Sequence, residues 1–251
     1  MPVAAPSLGH ARLIRKLESI AELTDKDRQA LKELPIHVKD MGPGSEVIRN
    51  GEQPTSCCLL IEGFMHRYKQ LPNGRRQVLS YHLPGDIPDL LSLRLDRMDH
   101  SLGTIVPTKA AFIPHGAIQA LIQGSPTLNA AFTRDMLLDA AVFREWIVNL
   151  GSRLAGPRIA HLFCEIVTRM KSLGLGFENS FVLPLSQAEI GDATGMSSVH
   201  VNRSIQELRA AKLIAFKAHT LRLLDWEGLR KLGGFDPTYL NLKALPDTTG
   251  H

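Results

Sequence analysis

Cysteine is scarce in this 251-residue chain: it has only Cys57, Cys58 and Cys164. No C-x-x-C pair and no Cys/His cluster with zinc spacing occurs, so a disulfide framework and a zinc site are both excluded. Each thiol is expected in buried apolar packing, and the reduced cytoplasm is the expected compartment. Cys57 and Cys58 are adjacent, so in a strand they would point to opposite faces. Long apolar runs are missing too. The longest is Cys57–Ile61, against the roughly 20 residues that cross a bilayer. The N-terminal stretch MPVAAPSLGHARLIRKLES has no compact apolar segment behind its basic residues, so neither an export signal nor membrane insertion is expected. A nucleophile elbow, a P-loop, a dinucleotide fingerprint and a paired-carboxylate context are all absent, and the chain is expected not to be an enzyme. No repeat of 20–50 residues is visible.

What is present is an ordinary globular composition, 44% hydrophobic and 22% charged, with a net charge of +4. The distribution of charge says more than its sum. Within 197–217, Arg203, Arg209, Lys212 and Lys217 face Glu207 alone. Such a segment is either a phosphate footprint or a solvated helix face.

Residues 12–34 carry leucines and isoleucines at the 3.6-residue period of short surface helices, with Thr24 and Asp27 positioned to cap the second. From Val38 to Pro114 the texture changes to β-type runs: Glu46–Arg49, Cys57–Ile61, Phe64–Lys69, Gln77–His82, Gly103–Pro107 and Ala110–Ile113. Gly42-Pro43-Gly44, Asn50-Gly51, Glu62-Gly63, Asn73-Gly74 and Pro84-Gly85-Asp86 punctuate them. With no helical crossovers between these runs, a βαβ sheet is excluded, and a compact antiparallel barrel, roll or sandwich is expected.

Residues 126–154 then read as one helix, capped by Ser125 with Pro126 at its first position. At about 1.5 Å per residue it is on the order of 40 Å long. Phe132, Met136, Ala140, Phe143, Ile147 and Leu150 form a stripe broadened by Leu128, Leu138, Val142 and Trp146. So long and wide an apolar band exceeds one small barrel. It reads either as a core helix or, the preferred expectation, as the helix pair of a homodimer. Gly156-Pro157 should end it, and a further helix is expected over Arg158–Leu173. The expected domains are therefore a β-domain with N-terminal helices over 1–125, the long helix over 126–154, and a third domain over 155–251.

The third domain holds the most informative stretch, VLPLSQAEIGDATGMSSVHVNRSIQELRAAKLIAFKAHTLRLL at 182–224. Ser186 and Glu189 form a capping box that starts a short helix at Gln187. Gly195 supplies a left-handed turn between two crossed helices. Ser197 then caps a helix over about 198–210, whose Val201, Ile205 and Leu208 face inward. Its opposite face presents Ser198, Val199, Asn202, Arg203 and Gln206. Arginine can bond guanine O6 and N7 in bidentate fashion, and serine or asparagine can meet neighbouring base edges or phosphates. Two β-runs, Leu213–Phe216 and Thr220–Leu224, flank Lys217-Ala218-His219 as a wing. The pattern is that of a winged helix-turn-helix docking in a major groove.

On these features the sequence resembles the Crp–Fnr family of bacterial transcription regulators over roughly residues 15–232. The features that carry the resemblance are the glycine-punctuated β-segment ending in Pro84-Gly85-Asp86, the long helix, and the run LSQAEIGDATGMS with VNRSI. It implies an α+β fold: an antiparallel β-roll of cyclic-nucleotide-binding, jelly-roll type, a long dimerisation helix and a C-terminal winged helix-turn-helix. It implies double-stranded DNA, a second copy of the chain and RNA polymerase as partners, with a two-fold operator as target. By position, Arg203 falls where the family reads guanine, and Asn202 and Val199 fall at variable specificity positions. Ser186, Ser197 and His200 match phosphate-contacting positions, and Lys217 on the wing is expected to meet phosphate.

The sensory half departs from the family's cyclic-AMP pattern. Where a Gly-Glu-Leu and an Arg-Ser/Thr-Ala are found in members that bind the nucleotide, this chain has Pro88-Asp89-Leu90 and His100-Ser101-Leu102. Asp89 could accept a ribose hydroxyl, but a neutral histidine replaces a guanidinium poorly. Cyclic AMP is therefore not expected as effector, and Asp89, Arg94, Arg97, His100 and Ser101 mark the candidate effector pocket. Iron–sulfur members carry cysteines near the N-terminus, and none precedes Cys57 here. Ten scattered histidines single out no haem ligand. A second functional reading stays open at this point: a ligand-binding or scaffolding β-roll whose helical tail binds protein.

Overall fold

Glycine and asparagine turns cut residues 37–114 into seven strands: β1 (His37–Met41), β2 (Glu46–Ile48), β3 (Ser56–Glu62), β4 (Met65–Gln70), β5 (Arg76–His82), β6 (Ser101–Thr104) and β7 (Thr108–Pro114). The computed structural model describes residues 5–243. The strands form two antiparallel sheets, in the orders β1-β7-β3 and β2-β6-β4-β5. At the β3–β4 turn only glycine fits. Gly63 has φ +102°, and a Cβ there would lie 2.9 Å from the Pro107 carbonyl oxygen.

Strand alternation divides β3 between two cores. Cys58 and Leu60 join Ile48, Met65, Leu102 and Ala110 between the sheets. Cys57, Leu59 and Ile61 instead face Leu13, Leu17 and Leu31 of helices α1 (Ala5–Glu18) and α2 (Asp25–Lys32), with Ile118 of α3 (His115–Gly124) and Phe132 of α4 (Pro126–Ser152). The adjacent cysteines thus point to opposite faces, as expected. All three thiols are free and buried. Thr24 caps α2 in a reciprocal box with Asp27, at 2.9 and 3.2 Å. Ser125 caps α4 by accepting the Leu128 N–H at 3.1 Å.

The second half of the chain adds α5 (Ala155–Ser172), β8 (Ser180–Val182), α6 (Gln187–Thr194), α7 (Ser198–Ala210), β9 (Ile214–Lys217), β10 (Thr220–Leu223) and α8 (Trp226–Gly233). Phe163, Ile166 and Val167 of α5 are buried, as are Val201, Ile205 and Leu208 of α7. Full burial of such a side chain is worth about 1.5–3 kcal/mol. Among the described residues, no helix is long and apolar enough to cross a membrane.

Several expectations need correction. β1 and α3 were not anticipated, and β6 spans Ser101–Thr104 rather than 103–107, because 105–107 bend away into the β7 turn. α4 ends at Ser152, not 154. α5 begins at Ala155, not Arg158, so Gly156-Pro157 opens a helix instead of ending one. In the first turn, where backbone N–H groups have no intrahelical acceptor, the missing proline donor costs nothing.

Among the described residues, contacts divide the chain into one unit of 5–67, 81–140 and 241–243 and another of 68–80 and 141–240. The division therefore runs through α4 rather than at Gly156-Pro157. The physical reason is that the last turns of α4 are committed to α5. Trp146 is buried, and its indole N–H donates to both carboxylate oxygens of Glu165 at 3.1 Å. Glu165 also accepts the Tyr239 hydroxyl at 2.7 Å, and burial pushes its pKa up.

Candidate nucleic-acid interface

The helix-turn-helix is fixed by short-range chemistry. Ser186 accepts the Glu189 N–H at 3.2 Å while the Glu189 carboxylate accepts the Ser186 N–H at 2.6 Å, which starts α6. Gly195, at φ 68° and ψ 26°, ends it in the left-handed conformation and donates its N–H to the Gly191 carbonyl. Gly191 is required for a different reason: a Cβ there would sit 2.5 Å from the Met196 carbonyl oxygen. Sequence reasoning missed this residue, because the close approach arises only when the turn after α6 folds the Met196 carbonyl back onto the helix. Ser197 then caps α7 through the His200 N–H at 3.4 Å.

α7 buries Val201, Ser204, Ile205 and Leu208. On the opposite side Ser198, Val199, His200, Asn202, Arg203 and Gln206 are exposed, Val199 to 77%. Arg203 is 67% exposed and stands 3.9 Å from Glu207, a loose surface pair that costs little to exchange for a better acceptor. The positive end of the α7 dipole lies at Ser197–Ser198 and favours an anion there. Beside it, β9 and β10 form an antiparallel hairpin with β8 as third strand. Its two turn residues, Ala218 and His219, take φ 48° and 58°, a conformation that Asn-Gly would adopt without steric cost. Lys217 ends β9 in solvent. Ser186, Ser197, Ser198, Val199, His200, Asn202, Arg203 and Lys217 are thus all exposed on one unit.

The β-roll interior is built on another principle. Asp89 is fully buried, and its Oδ1 accepts the Cys58 N–H at 2.8 Å while Oδ2 has no hydrogen-bond partner. Burial raises its pKa to about 7. His100 is buried with Nδ1 2.8 Å from the Asp99 carboxylate; burial first, and then the Arg67 charge, lower its pKa. Ser101 Oγ accepts the Asn50 N–H at 3.1 Å. Arg94 and Arg97 are exposed, with Arg97 donating to the Gly51 carbonyl, so they do not join the buried carboxyl. An open groove of about 540 Å³ runs along β2, lined by Glu46–Glu52 residues and by none of these five.

The interior cation is Arg67, which sequence reasoning did not single out. Its signal was its place two residues after Met65 on β4, hence on the same inward face. Its side chain is 3% exposed. Nε and Nη2 donate to the Pro88 carbonyl, Nε at 2.6 Å, and Nη1 pairs with the Asp139 carboxylate on α4. Lys16 makes a parallel connection, 2.9 Å from Asp86 and 3.3 Å from Asp135. Two cations thus tie the Pro84–Asp89 turn to carboxylates one helical turn apart on α4. His82 stands 3.6 Å from Asp86; burial, reinforced by Arg67, lowers its pKa to about 4.

Residues 38–125 match the cyclic nucleotide-binding domain family, and residues 157–232 match the Crp-like helix-turn-helix domain family. Among characterised relatives, the chain is 26% identical over 212 residues to the transcriptional activatory protein AadR of Rhodopseudomonas palustris, covering 84% of this chain and 87% of that protein. It is 29% identical over 183 residues to the nitrogen fixation regulation protein FixK of Bradyrhizobium diazoefficiens, covering 72% of this chain and 76% of the relative. The solved structure of FixK2 from Bradyrhizobium japonicum superposes with a TM-score of 0.72 at 21% identity, over 79% of this chain and 98% of that one. The protein is accordingly a transcription regulator with a helix-turn-helix DNA-binding domain, not an enzyme. With a cyclic-nucleotide-binding-type β-roll followed by a Crp-like helix-turn-helix, the chain belongs to the Crp/Fnr family.

Proposed function

We propose that the protein acts in the cytoplasm as a homodimer that binds an inverted-repeat operator, with Arg203 reading a guanine in each half-site. The observation that carries this reading is the outward face of α7. There Ser198, Val199, Asn202 and Arg203 are exposed opposite a buried Val201 and Ile205. Ser186, Ser197, His200 and the wing's Lys217 are the phosphate partners, which fix register without reading sequence. Val199 offers no acceptor for a cytosine amino group and suits a thymine methyl. α4 supports the dimer: Leu137, Ile147 and Val148 are 64%, 70% and 46% exposed, an apolar edge that a second copy of the helix would cover. RNA polymerase is the expected protein partner at the promoter.

Cyclic AMP does not fit as the signal. A cyclic phosphate needs a cation inside the roll, and Arg67 is already held by Pro88 and Asp139. The signal is then a different effector, or regulation rests on protein abundance alone.

The test is binding of the purified full-length protein to fragments selected from a genomic library, with sedimentation of the protein alone and with DNA. A two-fold-symmetric consensus and a dimer are expected. A monomer on an asymmetric site overturns the proposal.

A further inference from the structure

The first turn of α5 carries an arginine that holds two helix ends at once. Arg158 donates from Nη1 to the Thr194 carbonyl at 2.7 Å, the last residue of α6. Its Nη2 donates to the Leu150 and Arg153 carbonyls at 2.9 and 2.8 Å, and its Nε to the Asn149 carbonyl at 3.1 Å, all around the C-terminus of α4. In return, Asn149 Nδ2 donates to the Arg158 carbonyl at 3.3 Å. One planar guanidinium therefore bonds four carbonyls from two chain segments, 149–153 and Thr194.

These carbonyls are of the kind that want such a partner. The last four C=O groups of a helix have no intrahelical donor, and the negative end of the helix dipole lies there. A cation set between two C-termini meets both demands, and a planar fork serves several acceptors at fixed angles where an ammonium serves as a point charge. Position gives the contact its consequence. Thr194 immediately precedes the left-handed Gly195 that launches α7, while Asn149 and Leu150 lie in the last turns of α4. Through those three residues, Arg158 links the end of α6, next to the turn into α7, to the end of the long helix.

We propose that Arg158 is a positioning residue for DNA recognition: by clamping the ends of α4 and α6, it fixes how far apart the two reading helices of a dimer lie and so the operator spacing that the protein accepts. The inference rests on the dimeric, inverted-repeat reading above, in which α4 forms the seam.

The test uses full-length wild type, Arg158→Lys and Arg158→Gln. Fluorescence anisotropy is measured on the selected inverted repeat, on the same half-sites moved together or apart by one base pair, and on single-base variants at the position Arg203 reads. One base pair rotates the half-sites by roughly 35°, so wild-type affinity should fall about tenfold or more away from its optimum. In both variants that penalty should shrink to about threefold or less, by a rise in Kd at the optimum, while the base preference at the Arg203 position stays as in wild type. An equally sharp spacing optimum in the variants overturns the inference and leaves the operator reading intact. So does a flat wild-type profile on a two-fold site. If both variants are unfolded at 25 °C by circular dichroism, Arg158 is a folding residue and the inference falls. Wild type that binds no inverted repeat at any spacing refutes the operator reading itself.

Discussion

Arg67 and Arg203 carry the same guanidinium into opposite situations. Arg67 is enclosed in the β-roll with its donors spent on the Pro88 carbonyl and the Asp139 carboxylate, whereas Arg203 stands in solvent, 3.9 Å from Glu207. A buried charge is tolerable only when the protein supplies its partners, and supplying them leaves little to offer a ligand. An exposed charge with a weak partner is stabilised little by the fold, and can be claimed by a phosphate or a base edge. The contrast separates a guanidinium that the fold itself satisfies from one left free for an outside acceptor.

The largest effect should come from Arg67→Ala. It leaves the Asp139 carboxylate without its cation and the Pro88 carbonyl without its donor, a loss of about 3 kcal/mol, the low end for a buried pair because Asp139 is 28% exposed. Urea unfolding followed by circular dichroism should show a midpoint far below wild type. Arg67→Met combined with Asp139→Leu should recover most of the loss, since an apolar pair of similar volume carries no desolvation cost. A single mutant as stable as wild type would mean that the clamp between the Pro84–Asp89 turn and α4 is ornamental.

Next in size is the seam. Ile147→Glu should leave the monomer folded, because that side chain is already 70% exposed, yet place a charge in the helix pair at a cost of several kcal/mol to association. Analytical ultracentrifugation should show monomer where wild type is dimer, with unchanged thermal unfolding of the isolated chain. A dimer of undiminished affinity would move the seam to another face of α4.

How much of this was legible beforehand follows the range of the interactions. Thr24 with Asp27, Ser186 with Glu189, Ser197, Gly195 and the Asn-Gly turns act within three or four residues, and each was readable in place. The inward face of α7 was readable for the same reason, as a periodicity. Arg67 was not, because its partner Asp139 lies 72 residues away; the period-two spacing from Met65 marks the side chain as inward but not what it would meet there. Arg158 was hidden likewise, its Thr194 contact spanning 36 residues. β1 escaped notice because His37–Met41 is a half-exposed edge strand with two charged residues, which dilutes the alternation. Gly191 reads as an ordinary glycine until the turn after α6 folds the Met196 carbonyl back onto it.

The β-roll interior should also declare itself by pH, with two groups of opposite sign. The pKa of His82 falls from its ordinary 6.5 to about 4 on folding, chiefly through burial. Below 6.5 the unfolded chain takes the proton more readily, so this group removes stability as pH falls from 6.5 toward 4, by about 3 kcal/mol. Asp89 moves the other way, from 3.8 to about 7, again chiefly through burial. The folded state holds its proton better, so its contribution is full below about 4 and is lost as pH rises to 7. His82→Gln should therefore gain on wild type as pH drops through 6.5 to 4, while Asp89→Asn should lose ground over the same window. Chemical unfolding at half-unit pH steps measures both. Parallel profiles for the two mutants would show that the interior is wetter than its contacts indicate.

The smallest effects belong to the half that faces DNA, and their value lies in their pattern. Arg203→Ala removes an exposed side chain, so stability should stay within about 0.5 kcal/mol of wild type. Affinity for the selected operator should fall by about 1–3 kcal/mol, with preference relaxed at one base pair per half-site. Lys217→Ala should do something different in kind. A phosphate contact carries no base information, so every sequence should weaken alike, and the slope of log affinity against log salt should shrink by about 1 for each lysine removed. Titrations of both mutants against the operator and its single-base variants, at three salt concentrations, separate the two signatures. If Arg203→Ala behaved as Lys217→Ala is expected to, with uniform weakening and a shallower salt slope, Arg203 would be one more backbone anchor. The reading of sequence would then pass to Asn202 beside it and to Val199 one turn earlier on the same exposed face.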